Sequence, residues 1–372
     1  MASSRQHLSH EKKYNLLLKE LPNYIVDYVY HMENYERSPS TLLVYLNDYK
    51  HFLEWLVDNG FTTAPVSQFP ESVLESLPVE AVNRYFRELS NENLEIAKDE
   101  KKKREKTSIN RKKSALRSLF KYLTIEYENE KGEPLFYRNV MQKVPVIKPK
   151  ESLSARSTKL ADVIFHEDTD IDFLYFIKKE YQYTLSSRQL SYFMRDIERD
   201  FAILSIFLGT GIRVNELAEI RIRDLNFEKS TISVLRKGNK KDIVKASLSV
   251  MEDIVSYLSV RNERYGGSAA DHEYLFLSRY NREPSPLSVR AIQDLVTKYT
   301  KAFNKGSKRM SPHKLRHTYA TKLMDETKDI SYVMEQLGHT SESTALLYVH
   351  SSQEKAELAS EAMDRRRKRL KY

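Results

Sequence analysis

Apolar residues return every three or four positions along most of this chain, which predicts a mainly helical protein. Leu16, Leu17, Leu18, Leu21, Tyr24, Ile25, Tyr28 and Val29 mark a first stretch that Pro22 kinks or restarts. Ser38-Pro39-Ser40 opens a long amphipathic helix carrying Leu42, Leu43, Tyr45, Leu46, Tyr49, Phe52, Leu53 and Leu56, and Asn59-Gly60 closes it. Helices over 78–89 and about 108–126 complete an all-helical first half. Residues 145–152 hold two prolines, few apolar positions and several charges, as a linker does. Residues 157–193 are less regular, with a helix around 169–180. From Asp200 a buried helix carries Phe201, Ile203, Leu204, Ile206, Phe207 and Leu208. Over Ile232–Val244 the pattern reads as two short strands around Lys237-Gly238-Asn239. Helices near 249–264, 287–304, 312–326 and 329–337 finish a mostly helical second half with a small antiparallel sheet. The expected divisions are a helical extension (1–37), a bundle (38–144), a linker (145–168) and a larger unit (169–372).

Charge adds a partner class. Lys and Arg number 61 against 52 Asp and Glu, a formal net charge of +9, and such a chain gains affinity for duplex DNA by counterion release. The run Lys98–Lys106 is either a solvated loop or helix end, or a phosphate contact; Arg111, Lys112 and Lys113 favour contact. The chain has no cysteine, which excludes thiolate zinc sites, redox relays and disulfides. Gly-x-Ser-x-Gly and Gly-x-x-x-x-Gly-Lys motifs are also absent, so neither a serine elbow nor a nucleotide-cradling loop is expected. No apolar run is long enough to span a bilayer and the N-terminus lacks a signal-like segment, which predicts a soluble, cytoplasmic protein.

The candidate chemistry lies toward the C-terminal end. Ser311-Pro312 opens a helix that sets His313 and Arg316 three apart on one face. A guanidinium holds two phosphate oxygens in a fork while an imidazole beside it moves a proton or donates to a third oxygen. Leu337-Gly338-His339 supplies a turn histidine, and nine residues later comes Tyr348. A phenol is an oxygen nucleophile that needs activation, and clustered cations are expected to lower its pKa and stabilise charge on the phosphate. Upstream, Gly209-Thr210-Gly211-Ile212-Arg213 places a further arginine after a glycine-bracketed turn, with Glu216 three residues on to orient the cations. His313 and His317 have the spacing of a zinc-peptidase pair, but Lys314 stands where that motif needs Glu and Arg316 adds a cation, so no metal is expected. His317 reads as packing behind the helix.

In order and spacing these residues resemble the tyrosine site-specific recombinases. The resemblance matches Arg213 to the first arginine, Lys237 to the hairpin lysine, His313 and Arg316 to the His-x-x-Arg box, His339 to the third-position histidine and Tyr348 to the nucleophile. Tyr45–Leu56 is similar to the first core-binding helix of Xer recombinases, and in detail the chain is similar to the XerS type, which works as a single recombinase. The resemblance covers roughly residues 12–360. It implies a mainly α (α+β) protein: a SAM-like core-binding helical bundle that binds DNA, then a catalytic domain. It implies that the face containing Asn110, Lys113, Ser114 and Arg117 reads the major groove, with Arg111 a further DNA contact, and that Lys237 protonates the departing sugar oxygen.

The implied reaction cleaves and rejoins double-stranded DNA through a 3′-phosphotyrosyl bond that conserves the phosphodiester's energy, so no cofactor, metal or ATP is expected. The implied partners are a tetramer of this chain on two DNA sites and an FtsK-type DNA translocase, with chromosome dimer resolution at a dif-like site as the role. A mobile-element integrase and a non-cleaving DNA-binding regulator are the alternatives. The basic stretch Arg365–Lys371 is either a dock on a neighbouring subunit or a phosphate-binding tail.

Overall fold

The computed structural model describes residues 4–97, 100–147, 151–236, 240–281, 283–306, 309–338, 346–348 and 361–368. It divides into two compact units, Met1–Lys150 and Glu151–Tyr372.

The first unit is built from α1 (Arg5–Leu18), α2 (Asn23–Asn34), α3 (Pro39–Asp58), α4 (Glu71–Glu75), α5 (Val79–Asn91) and α6 (Lys106–Lys121). Ser38 caps α3 by accepting from the Thr41 N–H, and Pro39 suits the first helical position, where its missing N–H is not needed. Leu42, Leu46, Tyr49, Phe52, Leu53 and Leu56 face one way along α3 and are buried, each large side chain contributing about 2 kcal/mol by leaving water. Tyr14, Leu18, Ile25, Tyr28 and Val29 lie in the same core. The separate extension expected over 1–37 is therefore part of this unit, because the apolar stripes of α1 and α2 have nowhere else to be buried. A hairpin of β1 (Asn93–Ala97) and β2 (Glu100–Lys103) precedes α6 where a loop or helix end was one expectation. Lys98 and Asp99 lie outside the described residues.

Asp48 of α3 is buried and ion-paired to both Arg111 and Lys112 of α6, with Lys112 Nζ at 2.9 Å. The far side of α6 holds the segment that follows it. Asn110 Nδ2 donates to the Ile147 carbonyl (2.7 Å), Lys113 Nζ to that of Pro145 (2.9 Å), and Arg117 Nε and Nη2 to those of Met141 (3.2 Å) and Val144 (2.7 Å).

The second unit begins with α7 (Leu153–Ala161), which corrects the linker expected over 145–168. Leu160 and Ile164 pack on Ala320, Met324, Val333 and Leu337, so this stretch is folded against the body of the unit. Then follow α8 (Thr169–Tyr175), α9 (Ser187–Thr210), α10 (Val214–Ala218), a three-stranded antiparallel sheet of β3 (Leu225–Asn226), β4 (Thr231–Arg236) and β5 (Lys240–Lys245), and α11 (Leu248–Tyr265). The unit closes with a hairpin of β6 (Leu277–Tyr280) and β7 (Glu283–Pro286), then α12 (Val289–Phe303), α13 (Pro312–Thr327) and α14 (Ile330–Leu337). Ile203, Phe207, Ile232, Val244, Ile254, Ile292 and Leu315 lie in one core beneath the elements that carry the candidate residues. No helix among the described residues is long and apolar enough to cross a membrane.

Candidate active site

The candidate residues meet at the C-terminal end of α14. A helix ends with carbonyls that have no partner inside the helix and with the negative end of its dipole, so it attracts cations. Gly338 ends α14 in the left-handed conformation (φ 60°), and the carbonyls of residues 336–338 take donors from three arginines. Arg316 Nη2 donates to Leu337 (2.6 Å), Arg236 Nη1 to Leu337 (3.1 Å) and Nη2 to Gln336 (2.8 Å), and Arg213 Nη2 to Gly338 (3.3 Å).

Each arginine arrives by a different route. α9 stops at Gly211, whose φ of 63° turns the chain at once toward Arg213. A Cβ there would collide with the Tyr319 ring, and the freed Gly211 carbonyl accepts from Arg316 Nη1 at 2.6 Å. Arg213 leads into α10 and is held by Glu216, whose Oε2 accepts the Arg213 main-chain N–H and whose Oε1 accepts from Nη1, both at 2.8 Å. Arg316 is on the inner face of α13 and only 2% exposed. Its pKa is lowered to about 10, by burial first and then by Arg213, with Glu216 opposing. Holding that charge costs on the order of 3 kcal/mol in the chain by itself, which an anion placed beside it would offset.

Tyr348 is 1% exposed and packs with Leu160, Leu337 and Leu347. Ser157 Oγ of α7 donates to the Leu347 carbonyl at 3.3 Å, so α7 forms the wall behind the phenol. The hydroxyl lies 2.8 Å from His317 Nδ1. Burial pushes its pKa up to about 12, although Arg316 and Arg213 pull it down. The expected lowering by clustered cations is thus outweighed by desolvation. His313 stands at the exposed rim of α13, with its ring centroid 4.2 Å from that of His317. Its pKa lies below the ordinary value, through desolvation first and then Arg316 and Arg213.

The structure therefore brings Arg213, Glu216, His313, Arg316 and Tyr348 into one cluster of the second unit. Lys237 and His339 lie outside the described residues, each directly following a residue of the cluster, Arg236 and Gly338. Asn110, Arg111, Lys113 and Arg117 are in the first unit, engaged as described above. Two members escaped the sequence reading. His317 contacts the phenol and does not merely pack behind the helix; its place one turn beyond His313 was the signal. Arg236 follows Ile232 and Val234 on the inward-facing parity of β4, which the alternation could have revealed.

Residues 184–355 match the Phage integrase family. The sequence is 38% identical to the tyrosine recombinase XerS of Streptococcus gordonii, over 89% of this chain and 92% of that one. It is 40% identical to the tyrosine recombinase XerS of Streptococcus equi subsp. equi, again over 89% and 92%. The chain belongs to the tyrosine recombinases. It is an enzyme of that catalytic class, a site-specific recombinase resembling XerS. The fold of this recombinase is shared with the XerH site-specific recombinase bound to palindromic difH substrate in a post-cleavage complex. The TM-score is 0.59 at 21% identity, over 87% of this chain and 80% of that one.

Proposed function

We propose that this recombinase resolves chromosome dimers at a dif-like site, with Arg213 and Arg316 clamping the scissile phosphate. Tyr348 Oη attacks phosphorus in line and gives up its phenol proton with His313 as acceptor, a 3′-phosphotyrosyl bond forms, and the bond to the 5′ oxygen breaks. Lys237 gives a proton to that oxygen, His339 donates a third hydrogen bond to the phosphate, and Glu216 holds the cations in place. On return, the 5′ hydroxyl of the partner strand attacks the phosphotyrosine and passes its proton to Lys237, while His313 assists by returning a proton to Tyr348 Oη as the tyrosine leaves. The observation that carries this reading is the gathering of Arg213 and Arg316 around the carbonyls of Gly211, Leu337 and Gly338 beside the buried Tyr348.

The first unit is proposed to be the SAM-like core-binding domain. Asn110, Arg111, Lys113 and Arg117 of α6 would contact the duplex. The carbonyl contacts of Asn110, Lys113 and Arg117 are each worth about 1–3 kcal/mol net, which DNA contacts can replace, while Arg111 keeps its ion pair with Asp48. Strand exchange would take place in the cytoplasm, within a tetramer of this chain on two sites, activated by an FtsK-type translocase. XerS naming of the relatives supports this role.

The test uses nicked suicide duplexes carrying candidate palindromic sites, incubated with the full chain without added metal and run on denaturing gels. A slow-migrating covalent species is expected, and it should vanish with Tyr348→Phe. Site-specific binding with no adduct from either protein would sink the cleavage reading.

A further inference from the structure

Arg236 is the third guanidinium at the end of α14, and the proposed mechanism gives it no role. Its Nε donates to Asp242 Oδ2 (2.9 Å), Nη1 to Glu216 Oε2 (3.1 Å) and the Leu337 carbonyl (3.1 Å), and Nη2 to the Gln336 carbonyl (2.8 Å). The side chain is 9% exposed, whereas that of Arg213 is 40% exposed. A phosphate arriving from solvent can reach Arg213 directly, but Arg236 is enclosed by its own partners. Those partners also belong to the clamp: Glu216 holds Arg213, and the Leu337 carbonyl holds Arg316.

We propose that Arg236 is a positioning residue for the phosphate clamp, holding Glu216 and the Leu337 carbonyl so that Arg213 and Arg316 keep donors directed to DNA. This inference rests on the clamp reading of Arg213 and Arg316. What matters is how the Glu216 carboxylate meets the Arg213 guanidinium. Left to themselves the two form a bidentate fork, which would use up Arg213 donors that a phosphate needs. Here Glu216 Oε2 is taken by Arg236 Nη1 and the Arg213 main-chain N–H, so Oε1 alone meets the Arg213 guanidinium. Losing Arg236 would free Glu216 to rotate into the fork. The main chain is shaped for this side chain as well: a Cβ at Gly338 would come within 2.7 Å of Arg236 Nε.

Single-turnover adduct formation by the full chain tests the inference, on a nicked duplex with an ordinary scissile phosphate and on one with a methylphosphonate there. The methylphosphonate replaces a charged non-bridging oxygen with methyl, so a cationic clamp matters less. On the ordinary phosphate, Arg236→Ala and Arg213→Ala are each expected to slow the reaction ~10-fold or more. Arg236→Lys should fall between, since one ammonium cannot hold Glu216 and two carbonyls together. On the methylphosphonate the deficits of Arg236→Ala and Arg213→Ala should both shrink to about 3-fold or less, as loss of an electrostatic interaction requires. A fold defect would persist on both substrates. An Arg236→Ala deficit that stays constant while that of Arg213→Ala shrinks overturns the inference and leaves the clamp standing. So does an Arg236→Ala protein as fast as the parent. If the Arg213→Ala deficit itself does not shrink, the clamp reading fails and the inference fails with it.

Discussion

His313 and Tyr348 both favour their neutral forms in the DNA-free chain: desolvation and the neighbouring arginines lower the histidine's pKa even at the rim, and full burial raises the tyrosine's. A histidine whose pKa is depressed gains its proton only as the pH falls below its ordinary value of 6.5. Above that it is ready to accept a proton; below it, a further cation joins the arginines and the acceptor is lost. Cleavage at saturating DNA should therefore decline on the acid side of that ordinary value. His313→Gln should be slower and should lose that acid limb, as single-turnover rates across pH would register. Arg213, His313, Arg316 and Tyr348 were legible in the sequence because their chemistry and spacing are local signals. His317 and Arg236 were less so. Their importance comes from what they touch across the chain, Tyr348 and Glu216, and separations of 31 and 20 residues leave no periodic trace.

At the scale of elements, the site depends on where helices stop. α9 and α14 both end on a glycine with positive φ, and the carbonyls exposed there are the ones the arginines use. Gly211→Ala should cost about 1–3 kcal/mol, from the left-handed backbone and the collision with Tyr319 together. Chemical denaturation would measure it, and cleavage should fall beyond what the lost folded fraction explains, because the Gly211 carbonyl orients Arg316. Most of the helices and the β4–β5 pair could be read from periodicity alone. The β1–β2 hairpin could not, since its strand Glu100–Lys103 has no apolar position to alternate with the charged ones. α7 reads as linker because its sequence is polar, and its few apolar residues become meaningful only against α13 and α14.

For the whole molecule, two separate cores imply two cooperative units. Asp48→Ala would leave Lys112 buried without its carboxylate and remove a partner of Arg111, a loss of about 3–5 kcal/mol. Calorimetry should show one thermal transition lowered by that change and the other unmoved.

The burial of Tyr348 bears on the life of the protein between reactions. A basic protein spends most of its time on DNA that is not its target, with roughly a million or more such positions in a genome. A phenol that is 1% exposed, hydrogen-bonded within its own chain and far from ionising at neutral pH is a blade kept sheathed during that search. Fidelity toward the genome is then in part a property of the idle state: the chromosome is spared stray nicks by a nucleophile that has first to be drawn.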